Sequence, residues 1–64
     1  MKLLKMRDVM ALTSLAKSTI YKYIDTEGFP KQVKLGSGSV AWVEEEVLDW
    51  IAAKIEERDN TPTV

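Results

Sequence analysis

The sequence predicts a small, mainly helical α+β domain: two short helices, a two-stranded β-hairpin and a longer C-terminal helix. Three observations carry that prediction. In the stretch opened by Lys17, Ile20 and Ile24 stand four residues apart and share one helix face. Val33-Lys34-Leu35 alternates apolar and polar residues, and Gly36-Ser37-Gly38-Ser39 then supplies a turn into Val40-Ala41-Trp42, the pattern of a half-buried hairpin. From Val43 onward, Val43, Val47, Ile51 and Ile55 recur at every fourth position, the period of an amphipathic helix.

The elements follow in order. Met1 to Lys5 reads as an extended lead whose Leu3 and Leu4 cover one end of the core. Arg7 to Leu12 carries Val9, Met10 and Leu12 at a spacing that fits a short helix packed by one side, with Asp8 in its first turn, where the helix dipole favours a carboxylate. Thr13 to Ala16 is the turn, anchored inward by Leu15. The second helix stops near Thr26, because Gly28 accepts the left-handed conformation of a helix end and Pro30 cannot continue a helix. Phe29 lies between them and is assigned to the core. The hairpin is expected to rest on the helices through Val33, Leu35, Val40 and Trp42, since an isolated hairpin is marginal in water. In the last helix, Glu44, Glu45 and Glu46 crowd the first turn and Lys54 and Arg58 lie near the end, both favourable to the dipole. Residues 1–58 are read as one domain and residues 59–64 as a flexible tail.

At 64 residues the chain has room for one core. A domain of this size buries roughly 60% of the surface its unfolded chain exposes. Cys is absent, so neither a disulfide nor a thiolate metal site reinforces that core. No window approaches the apolar length of a membrane span, and Met1 to Lys5 does not open a signal peptide. A cytoplasmic, nucleoid-associated bacterial protein with no membrane contact is the expectation.

The net charge of -1 conceals an asymmetry. Met1 to Leu35 holds seven cations (Lys2, Lys5, Arg7, Lys17, Lys22, Lys31, Lys34) against three anions, a net +4. Gly36 to Val64 holds two cations against seven anions, a net -5. One part of the surface is thus suited to a polyanion and another is not.

Catalytic chemistry finds little to work with. His and Cys are both missing, which removes the usual zinc ligands, the imidazole base and the thiolate nucleophile. Glu45 and Asp49 stand four residues apart on the last helix, but on a side expected to be solvated, where nothing raises a carboxyl pKa. The Gly-Ser stretch lacks the Gly-Lys-Ser/Thr ending of a phosphate loop and joins two strands. No enzymatic activity, cofactor or metal is expected.

The second helix is different in kind. With Ile20 and Ile24 turned inward, Lys17, Ser18, Thr19, Tyr21 and Lys22 are left on other faces, a mixture of cation, hydroxyl and phenol suited to phosphates and base edges. The two short helices then read as a helix-turn-helix that presents its second helix to a DNA major groove, with the hairpin as a wing. Lys31 and Lys34 are the hairpin's cations. Tyr23, beside the isoleucine stripe, is assigned to packing, whereas Tyr21 is open between packing and DNA contact. Ile20, Ile24, Phe29, Trp42 and Trp50 are assigned to the core.

Four stretches, in order and at these spacings, resemble one family: Leu12 to Tyr21, Gly28-Phe29-Pro30-Lys31, Val33-Lys34-Leu35-Gly36, and Trp42 followed by Glu45-Glu46-Val47 and Trp50-Ile51. The chain resembles the AlpA family of small prophage regulators and excisionases, whose domain is related to the winged helix-turn-helix of MerR-type proteins. The resemblance implies a binder of double-stranded DNA in a mobile element. Such a protein activates transcription of an integrase gene, or directs an integrase toward excision and so controls DNA recombination. It also implies that the recognition helix falls on Lys17, Ser18, Thr19, Tyr21 and Lys22. A binder this small is expected to need neighbours, either further copies on adjacent DNA sites or an integrase.

Two departures from the family pattern stand out. Ala16 occupies a position where a Ser usually begins the recognition helix, removing a cap worth about 1 kcal/mol. Ser14 or another group is left to compensate. The wing holds Gly38, Ser39 and Ala41 where arginines are common, which weakens any minor-groove reading by the hairpin. The alternative function is a protein-interaction module that uses the acidic last helix to bind or inhibit a regulatory protein. Solvated carboxylates account for that helix equally well.

Overall fold

The computed structural model describes residues 1–60; of the expected tail over residues 59–64, only Asp59 and Asn60 fall within them, in the last turn of a helix. The chain runs β1 (Leu3–Leu4), α1 (Met6–Thr13), α2 (Lys17–Thr26), β2 (Val33–Gly36), β3 (Ser39–Val43) and α3 (Glu44–Asn60). This is the expected α+β architecture with one addition. The N-terminal lead is a strand, so the sheet is three-stranded and antiparallel in the order β1-β3-β2. Leu3 pairs with Val43 and Leu4 with Trp42. Alternation along so short a strand sends only one leucine inward: Leu4 is buried and Leu3 is exposed.

α1 begins where the backbone amide of Lys5 donates to the Asp8 carboxylate at 3.0 Å, satisfying a donor that the first turn leaves free. It ends on Ser14, which takes a left-handed conformation at φ 61 and donates its amide to the Met10 carbonyl. The Thr13 hydroxyl donates to the Val9 carbonyl and accepts from the Leu15 amide, so this one side chain closes the turn. The sharp reversal this produces is what sets α2 against α1.

The core consists of Leu4, Val9, Ile20, Phe29, Trp42 and Val47, one or more from every element but β2, with Met6, Met10, Leu15, Tyr23, Ile24, Val40, Trp50 and Ile51 packed around it. Ile20, Phe29 and Trp42 are therefore buried as expected, while Ile24 and Trp50 are half-buried at its edge. Leu12 stays 44% exposed, because it borders an open cleft whose other wall is Ile51 and Ile55 of α3, and that helix covers it only in part.

β2 and β3 pair Val33 with Ala41 and Lys34 with Val40, then skip to Gly36 with Ser39, leaving Leu35 as the extra residue of a bulge. Residues directly opposite share a face. Lys34 thus lies on the side of Val40 and Trp42, where the helices pack, and Val33 lies on the other. This corrects the expected packing: Val40 and Trp42 rest on the helices, whereas Val33 and Leu35 are 39% and 56% exposed. A further correction concerns the α3 stripe. Val43 belongs to β3, Val47 is buried, Ile51 is half-buried and Ile55 is exposed, because α3 extends past the body that covers its first turns.

Candidate nucleic-acid interface

α2 is positioned from both ends. Ile20 is fully buried and Ile24 half-buried, which fixes the rotation of the helix about its axis. At its C-terminal end, the Glu27 and Phe29 amides both donate to the Tyr23 carbonyl, and Gly28 at φ 67 makes the reversal that lets them converge. Two indoles then hold the segment that follows. Trp50 Nε1 donates to the Glu27 carbonyl and Trp42 Nε1 to the Pro30 carbonyl, each at 3.0 Å. Phe29 packs edge-on against Trp50 with ring centroids 4.9 Å apart, and the Tyr23 ring lies 6.2 Å from Trp50. Lys54 completes the clamp, 3.3 Å from the Glu27 carboxylate and 5.3 Å from the centre of the Trp50 ring. Its hydrogen bonds to Glu27 and Glu57 raise its pKa above the ordinary 10.5.

With the inward face fixed, the outward one is defined. Ser18, Tyr21, Lys22 and Asp25 are exposed at positions that share one side of the helix, and Lys17 is exposed at its start. Thr19 is half-buried and lies at the edge of this face rather than at its centre. Tyr21 has one flank near Trp42, with centroids 6.4 Å apart, and remains 37% exposed, so it both packs and presents its ring to solvent. Tyr23 is half-buried among the core residues, as its place beside the stripe requires. Lys31 and Lys34 are exposed at the entry to the hairpin and on β2.

The electrostatics follow the same division. Ion pairs among the described residues join Lys2 to Glu44, Lys54 to Glu27 and Glu57, and Arg58 to Asp59. None of them engages Lys17, Lys22, Lys31 or Lys34, which keeps those four charges open to an external anion. Ala16 caps α2 without any side-chain hydrogen bond, and Ser14, whose backbone amide closes α1, supplies none either. The first turn of α2 thus has no side-chain cap beside the exposed Lys17, an arrangement favourable to a phosphate. Asp25 is the feature that residue-type reasoning passed over. Its signal was its spacing, four residues after Tyr21 and seven after Ser18, which places a carboxylate at the far end of the same face.

The family model described as prophage CP4-57 regulatory protein (AlpA) matches residues 2–55, which takes in every element from β1 to most of α3. An uncharacterized protein, ORF88, of Enterobacteria phage P4 is 46% identical over 52 residues, covering 81% of this chain and 59% of that protein. The chain thus spans well under two thirds of the phage protein's length. The DNA-binding transcriptional activator AlpA of Escherichia coli (strain K12) is 30% identical over 59 residues, covering 83% of this chain and 84% of that one. The matched span contains the turn, α2, the clamp and the hairpin together, and on that basis this chain belongs to the AlpA family of prophage regulatory proteins.

Proposed function

We propose that the protein is a sequence-specific DNA-binding regulator of a phage-type mobile element. Its domain, residues 1–58, works as a MerR-like winged helix-turn-helix with α2 in the major groove and the hairpin as wing. The observation that carries this reading is the outward face of α2, where Ser18, Tyr21 and Lys22 stand together and neither Lys17 nor Lys22 has an ion-pair partner. Lys17, Lys22, Lys31 and Lys34 would contact phosphates and Tyr21 would offer its hydroxyl to one, while Ser18 and Thr19 are short enough to meet base edges. The role is regulatory rather than catalytic, exercised in the bacterial cytoplasm on the nucleoid. Because the Escherichia coli relative is named a transcriptional activator, activation of a neighbouring integrase gene is favoured over a direct excisionase role.

A binding assay on permuted sites tests the placement of α2. Lys22→Ala should weaken binding to every sequence alike, and Thr19→Ala should change the ranking of sequences. Unchanged binding in both variants would remove α2 from the interface.

A further inference from the structure

The outward face of α2 carries one charged residue that neither the fold nor the proposed phosphate contacts employ. Ser18, Lys22 and Asp25 are exposed and spaced four and three residues apart, so they stand in one row along the helix. Asp25 closes that row in the last turn. The polar side chains next to it are committed: the Thr26 hydroxyl donates to the Lys22 carbonyl at 3.0 Å, and the Glu27 carboxylate holds Lys54 at 3.3 Å. Among the described residues the Asp25 side chain takes part in no hydrogen bond and no ion pair, not even with Lys22 one turn earlier.

A carboxylate at this position is unfavourable on two counts. The C-terminal end of a helix disfavours negative charge, and no basic residue in the last turn of α2 offsets it. On a face that Lys17 and Lys22 suit to phosphates, it also repels the DNA backbone. It gains from such a contact only where it meets a hydrogen-bond donor, and in the major groove the donors lie on base edges. α2 has ten residues, about 15 Å of helix, against a major groove about 12 Å wide, so its last turn stays close to the base edges when the helix lies in the groove. A carboxylate accepts hydrogen bonds and does not donate them. The adenine amino group sits between two acceptors, its own N7 and the thymine O4, which repel another acceptor. The cytosine amino group has an acceptor on one side, the guanine O6, and is open on the other.

We infer that Asp25 is a specificity-determining residue whose carboxylate accepts from the N4 amino group of a cytosine. Asp25 lies seven residues beyond Ser18, about 10 Å along the helix axis, which sets this cytosine about three base-pair steps from the base that Ser18 meets. The inference rests on the reading of α2 as the major-groove helix. It adds to that reading a named base and an exclusion, because any other base leaves the carboxylate facing an acceptor or a methyl group without a partner.

Selection from randomised DNA duplexes with the full chain gives the preferred site, and that site with each base in turn at every position measures the preference. Asp25→Ala should lower the preference for cytosine at one position about tenfold, the usual cost of one mismatch. It should leave the other positions as they were and raise affinity for unrelated duplexes. Its thermal midpoint should not fall, because the carboxylate supports no contact in the fold. Asp25→Asn, which donates as well as accepts, should favour adenine at the same position. Lys22→Ala is the control on α2. If it weakens binding to all duplexes while Asp25→Ala keeps the wild-type ranking of bases, Asp25 only repels phosphates or only steers Lys22, and the inference is overturned with the α2 reading intact. If Lys22→Ala leaves binding unchanged, or no motif is enriched, both fall.

Discussion

Single side chains decide two of the junctions on which the fold turns. Ser14 holds a left-handed conformation that costs an L-residue roughly 1–2 kcal/mol, and it does so because the Thr13 hydroxyl and the Met10 carbonyl leave the chain no other path between α1 and α2. Ser14→Gly should raise stability by roughly 0.5 kcal/mol, since glycine removes the steric cost and returns part of it as backbone entropy. Denaturant unfolding followed by circular dichroism measures that difference. Lys54 is the second case. Its raised pKa means that its contribution to stability is fully present below 10.5 and is lost as pH climbs through the folded value. The gap in thermal midpoint between the wild-type chain and Lys54→Met should stay level from neutral pH to mildly alkaline conditions. It should narrow only above about 10.5, where the ammonium begins to lose its proton in the unfolded chain.

At the scale of elements, α2 is held firmly at its C-terminal end and loosely at its start. Two indole hydrogen bonds and the Lys54 clamp fix residues 27–30, whereas Ala16 leaves the first turn with no side-chain acceptor. Ala16→Ser should therefore stabilise the protein by about 1 kcal/mol and slow amide exchange in the first turn of α2. The same substitution competes with any phosphate for those amides, so binding to DNA should gain less than stability does. No change in exchange at Ser18 and Thr19 would show that the missing cap has no consequence. The wing is the other element with an unusual balance. Its bulge at Leu35 and its glycine-serine tip carry no guanidinium, and Lys34 lies on the helix-facing side of the sheet. In the proposed complex that arrangement gives the wing a phosphate contact and no arginine in the minor groove.

For the molecule as a whole, the sign of the net charge misleads. The acidic residues are concentrated on α3, where Glu45, Glu46 and Asp49 are exposed, whereas Lys17, Lys22, Lys31 and Lys34, none of them in an ion pair, lie on α2, at the entry to the hairpin and on β2. The four phosphate contacts proposed for Lys17, Lys22, Lys31 and Lys34 predict that log K falls against log salt with a slope of roughly -3.6. A titration of binding against salt concentration checks the number, and Lys22→Ala should reduce the slope by about 0.9. Binding that persists unchanged in high salt would exclude this set of contacts.

The sequence by itself determined the order of helix, turn, helix, hairpin and long helix, because periodicity, Gly28, Pro30 and the Gly36 to Ser39 turn are local signals that act over a few residues. It also determined which face of α2 turns inward, since Ile20 and Ile24 leave one rotation open. The tertiary structure decided what periodicity cannot carry. Leu3 and Leu4 became a third strand only because β3 offered an unpaired edge, and a two-residue strand has no pattern of its own. Leu12, Val33, Leu35 and Ile55 share the spacing of their buried neighbours but face solvent, because burial requires an opposing element and a chain of 64 residues has too few to cover both faces of its sheet and the whole of α3. The indole clamp on Glu27 and Pro30 links positions far apart in the chain, so no local spacing announces it.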